Sequence, residues 1–163
     1  MDLMSYIDRG GIIVYILIAM NFIGFTIMFW KIFTLIVANN NIEKTCDQIT
    51  QNLSSKDITY VKSLISLHIK KLEIGLDTVK IIASLSPLIG LLGTVVGILH
   101  SFDSITHMGL GDPTVFSSGI SVALITTVAG LVVAIPHYMG YNYIISFLDS
   151  LEIKMEKSIL EKI

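Results

Sequence analysis

Ionisable side chains are missing from two long stretches of this 163-residue chain. Between Ile81 and Leu99, and again between Val115 and Pro136, there is no Asp, Glu, Lys, Arg or His. Neither stretch can therefore hold an acid–base relay of its own; a carboxylate there would have to come from a partner. Cysteine is nearly absent as well: Cys46 stands alone, which excludes an internal disulfide, a CxxC pair and a cysteine zinc cluster, and fits a free thiol in a reducing compartment. The net charge of -2 comes from acids and lysines interleaved, with no basic stripe to follow a phosphate backbone, so nucleic acid is excluded as a partner. His68, His100, His107 and His137 form no metal-ligand spacing with Cys46 or with a carboxylate pair, so no metal is expected. No Walker A sequence and no GxSxG turn is present; His137 beside a serine-bearing helix is the one hint of a hydrolase, and it lacks a third orienting group. No catalytic residue and no cofactor is expected.

What the chain does contain is apolar length. Hydrophobic residues make up 53% and charged residues 15%, and the mean hydropathy is +0.75, more than a soluble domain of this size needs to fill its core. Three runs are long enough to cross a hydrocarbon layer of about 30 Å at about 1.5 Å per helical residue. The expected organisation is a short N-terminus (1–11), a first transmembrane helix (12–38), a helical loop (39–80), a second span (81–102), a turn (103–114), a third span (115–145) and a helical tail (146–163). MDLMSYIDRGG has no basic leader region and no A-x-A-like site, so it is expected to be retained. The fold class is an all-α membrane protein with three transmembrane helices, the second and third extended into the cytoplasm.

Every lysine except Lys31 lies in the 38–80 loop or the tail, and Lys31 adjoins the loop. Short lysine-rich segments stay cytoplasmic. The loop and C-terminus are therefore expected inside, with the N-terminus and the turn containing Gly109, Gly111, Asp112 and Pro113 on the periplasmic side. Val61, Leu64, Ile65, His68, Ile69 and Leu72 recur at helical spacing in the loop, as do Leu148, Leu151, Met155 and Ile159 in the tail. These stripes predict amphipathic helices that pack on a partner helix or approach the membrane surface.

Small residues mark the second and third spans. Pro87, Gly90, Gly93, Thr94, Gly97 and Ser101 lie in one, and Gly119, Ala123, Thr127, Gly130 and Ala134 in the other, with Ser121 and Thr126 nearby. Gly90, Gly93, Gly97, Gly119, Ala123 and Gly130 are candidates for close helix packing. The hydroxyls either bond back to their own helices or line a polar seam through the membrane; spacing alone leaves both open. Pro87 and Pro136 each remove a backbone donor and are the hinge candidates.

The stretch SPLIGLLGTVVGILHSF, followed by GISVALITTVAGLVVAIPHYMGYNYI, resembles the paired helices of the ExbB/TolQ/MotA proton-channel family over roughly residues 83–144. The likeness is nearest to ExbB, with the loop too short for the cytoplasmic domain of flagellar MotA. The resemblance implies a homopentameric ring in the bacterial inner membrane, surrounding a dimer of an ExbD/TolR-like single-span partner whose membrane Asp carries the proton. It also implies a TonB-like protein as the recipient of the energy, or, for a TolQ-like chain, envelope integrity as the output; a non-conducting scaffold is the remaining alternative. The family's pore-facing threonines map onto Thr94 and Thr127, with Thr126 and Ser121 beside them. Many ExbB and TolQ proteins carry Glu where this chain has Val122, which leaves the partner's aspartate as the expected sole carrier.

Overall fold

A computed structural model of the chain describes residues 3–51, 58–108 and 113–161. They form five helices and no strand: α1 (Leu3–Asn40), α2 (Ile42–Gln51), α3 (Ile58–Glu73), α4 (Leu76–Met108) and α5 (Pro113–Leu160). Within α1, Gly11 adopts φ 62°, ψ -156°, a conformation open to glycine, and separates a short leading helix from the long apolar one. Helix α4 continues through Met108, beyond the expected close at residue 102, as Ser104 and Thr106 return their hydroxyls to the carbonyls of His100 and Asp103. Gly109, Gly111 and Asp112 of the expected turn lie outside the described residues, as does the side chain of His107. Pro113 opens α5, where a missing amide hydrogen costs nothing. Pro87 and Pro136 both sit inside continuous helices.

Among the described residues, helices α1, α4 and α5 are the three that are long and apolar enough to cross a membrane. Their outward faces carry large apolar side chains, Phe22, Phe29, Phe33, Leu88, Leu99 and Val132 among them, as a lipid solvent allows.

The chain divides into two compact units. The first is Met1–Phe25 with Thr78–Met139. Its core joins one residue from each helix, Leu17, Ile82 and Val133, with Ile13, Met20, Ile89 and Ala129 packed around them. The second is Thr26–Asp77 with Gly140–Ile163. There α3 buries Val61, Ile65 and Ile69, and the end of α5 buries Leu148, Leu151, Met155 and Ile159. Ser66 donates to Glu152 at 2.8 Å and Lys62 lies 3.6 Å from Glu156, so the two amphipathic stripes seen in the sequence face each other. The partner of α3 is this chain's own tail. Cys46 on α2 is fully buried in the same unit.

Two predictions arise in this second unit. Lys31 on α1 donates to the Leu72 carbonyl at 2.9 Å, in the last turn of α3, where a cation complements the helix dipole; Gly75, at φ 94°, then turns the chain. Lys31→Met removes that donor and is expected to cost roughly 1–2 kcal/mol locally, read as faster amide exchange over residues 70–75. His68 is held below the ordinary histidine value by burial and then by Lys71. The folded state therefore resists its protonation: its contribution is complete above about pH 6.5 and declines as the pH falls below that. Exchange protection of α3 is expected to weaken on acidification, and less so in His68→Gln.

Candidate functional site

The α4–α5 seam is built on the absence of side chains. A Cβ placed on Gly90 would lie 2.7 Å from the Thr126 carbonyl oxygen and 3.3 Å from the Gly130 Cα. One on Gly130 would lie 2.5 Å from the Ser86 carbonyl oxygen. Toward the other end, Gly97 and Gly119 face one another, each set against the other's carbonyl oxygen at 2.7 Å and 2.5 Å from the added carbon, with Ala123 and Ser101 alongside. Gly93 accommodates the Thr126 side chain. The predicted packing residues Gly90, Gly93, Gly97, Gly119, Ala123 and Gly130 are thus brought together within a single chain, backbone against backbone.

The four hydroxyl candidates have separate environments. Thr126 is fully buried against Gly93 and gives its hydroxyl to the Ala123 carbonyl at 2.9 Å. Thr94 is half-buried and donates to Leu91 at 2.6 Å, while Ser121 is half-buried too. Thr127 differs: its Oγ1 is buried and has no hydrogen-bond partner. Four residues back along the helix lies Ala123, whose carbonyl Thr126 already engages. A buried hydroxyl left unpaired costs about 1–3 kcal/mol.

His137 is the polar residue that spacing does not single out for this core. Its ring is fully buried, with Nδ1 2.7 Å from the Val133 carbonyl and the ring centroid 4.8 Å from that of Phe25 at 59°. Nε2 has no partner and presses on α1 where Gly24 leaves room. The one readable signal was Gly24 itself, a gap among bulky residues. Gly24→Ala places a methyl group on Nε2 and Cδ2 and is expected to destabilise the chain by about 1–3 kcal/mol. A double-mutant cycle with His137→Ala checks the contact: the two changes together should cost less than their sum. Ser86 and Ser101 are also fully buried, each bonded to the carbonyl four residues back. No group of three metal-ligating side chains occurs among the described residues.

Residues 34–157, well over half of the chain, match the MotA/TolQ/ExbB proton channel family. The chain belongs to that family. Members of the MotA/TolQ/ExbB family are non-enzymatic energiser subunits, which sets aside the hydrolase reading of His137. Together with the three span-length helices, membership makes this a multi-pass inner-membrane protein. Among individual relatives, a putative biopolymer transport protein ExbB homologue from Methanothermobacter thermautotrophicus is 43% identical over 76 residues, 46% of this chain and 26% of that protein. The biopolymer transport protein ExbB of Aquifex aeolicus is 36% identical over 94 residues, 58% of this chain and 63% of its own length. The Tol-Pal system protein TolQ of Haemophilus influenzae is 41% identical over 75 residues, 46% of this chain and 33% of its own length. The matched part of this chain thus spans less than two thirds of each of these relatives.

Proposed function

We propose that this MotA/TolQ/ExbB-family chain is the ion-conducting wall of an ExbB-like motor driven by the proton-motive force. The observation that carries the reading is the proton-channel family match over residues 34–157 in a chain whose apolar runs, 81–99 and 115–136, have no acid of their own. Such a wall needs a titrating group from another chain. In this reading five copies surround a dimer of an ExbD/TolR-like single-span protein, whose membrane Asp shuttles the proton. Thr127, Thr94 and Ser121 are the hydroxyls assigned to the ionised Asp: Thr94 would turn its proton from the Leu91 carbonyl and Thr127 would be uncovered as the helices shift, with Thr126 holding the backbone beside them and Pro87 and Pro136 giving the helices places to flex. The output is energy delivered to a TonB-like protein for uptake across the outer membrane. The lysine distribution supports a periplasmic N-terminus and a cytoplasmic C-terminus.

The energies are matched. One charge crossing 100 mV yields about 2.3 kcal/mol, and placing an ionised Asp at mid-membrane costs about 2.5–3.5 kcal/mol. Alternate protonation and release can therefore switch the partner between two preferred surroundings. The test is reconstitution in vesicles with a single-span, Asp-bearing partner under an imposed potential. Proton uptake that requires both chains and vanishes when the partner's Asp becomes Asn supports the reading; uptake that persists without that carboxylate overturns it. A TolQ-like output, envelope integrity, is favoured by the likeness to the Haemophilus protein. Deletion of the gene separates the two: loss of siderophore-type uptake marks the first, leakage of periplasmic contents the second. A scaffold that conducts nothing would pass no protons in either case.

A further inference from the structure

The first unit leaves a groove of ≈ 580 Å³ between α1 and α5, away from the glycine seam. Val14, Leu17 and Ile18 form one wall, and Leu124, Val128 and Val132 the other. Those three α5 residues are spaced four apart and each is more than half exposed, so they form a continuous apolar stripe that α1 does not cover. Tyr6 and Ile7, on the short helix before the Gly11 bend, close one end. From Leu124 to Val133 the groove runs about 14 Å along the helix, which is about half of a hydrocarbon layer of about 30 Å. It is one leaflet deep. A transmembrane helix seated here would have to continue through the other leaflet, beyond these lining residues. An acyl chain would not.

The closed end carries a charge. Arg9 lies three residues from Tyr6 on the same short helix, is exposed, and forms no ion pair among the described residues. The neighbouring acid, Asp8, is engaged instead by the Tyr15 hydroxyl, which donates to it at 3.1 Å. An uncommitted guanidinium beside the membrane surface favours an anionic headgroup and can take a phosphate through two parallel hydrogen bonds. We propose that this groove seats one acyl chain of an anionic phospholipid from the leaflet at the Arg9 end, with the lipid phosphate on Arg9. The site is independent of the conducting seam, so it stands whether or not the chain moves protons.

The test is to reconstitute the full chain in vesicles of phosphatidylglycerol mixed with phosphatidylcholine and to count retained lipids by native mass spectrometry. One phosphatidylglycerol per subunit is expected, preferred about fivefold over phosphatidylcholine, the effect of one interfacial cation. Arg9→Gln should keep a lipid and lose the preference. Leu124→Phe and Val128→Trp fill the groove and should lose the lipid of either headgroup; the smaller change covers the case in which the tryptophan variant fails to fold. Equal retention of the two lipids by the unaltered chain overturns the proposal, as does a preference that survives Arg9→Gln. A photoreactive group at position 124 gives a second reading: attachment to lipid supports the site, whereas attachment to a second copy or to a partner helix shows that protein occupies the groove.

Discussion

Gly130→Ala is expected to be among the most damaging single-methyl changes at the described glycines. The added carbon would meet the Ser86 carbonyl oxygen at 2.5 Å and the Gly90 Cα at 3.1 Å. Both are backbone atoms, so neither can rotate aside and the two helices must part. Overpacking of this kind costs about 1–3 kcal/mol, with a leucine at the same place costing more. For a chain of this size each kcal/mol lowers the midpoint by roughly 2–4 °C, so thermal unfolding in detergent is sensitive enough to see it. Gly140→Ala is the matched control: its added carbon meets the end of the Met28 side chain, which is flexible and can swing away. A Gly130→Ala protein as stable as Gly140→Ala would show that the close α4–α5 approach is not required.

Thr127→Val should do the reverse, leaving the fold intact and removing function. Valine keeps the shape and deletes an oxygen that has no partner within the chain, so stability should hold or rise slightly. A hydrogen bond to an ionised carboxylate is worth about 1.5–3 kcal/mol, so its loss should reduce partner-dependent proton flux by roughly ten- to a hundredfold. Thr127→Ser keeps the hydroxyl and should restore most of it. Thr126→Val tests the adjacent position in the opposite sense: it breaks the bond to the Ala123 carbonyl inside the seam, so stability should fall by about 1 kcal/mol. Unchanged flux in Thr127→Val would remove that hydroxyl from the pathway.

Much of this architecture is legible in the sequence because lipid imposes a simple rule on chain length and polarity. Three apolar runs, two stripes of small residues and two amphipathic stripes can be read from spacing alone, and each stripe faces inward in the structure. Pairing across distance cannot be read in that way. Nothing in the spacing of α3 names residues 148–159 as its partner, since that choice depends on how the long helices return. Thr126 and Thr127 are neighbours in sequence and about 100° apart on the helix, and only the packing decides which of them turns into Gly93 and takes the Ala123 carbonyl. His137 and Gly24 lie on different helices, so their fit becomes visible only when α1 is laid against α5.

The burial of Cys46 has a practical side. It is the sole thiol of the chain and has no solvent-accessible surface, so a thiol reagent can reach it only when the packing around α2 opens. The rate of labelling is then a built-in clock for that local opening, with no engineered probe. The same silence favours spectroscopy elsewhere: a cysteine introduced on the outward face of α5 would react against a dark background, and the native thiol would report separately if the new residue had loosened the fold.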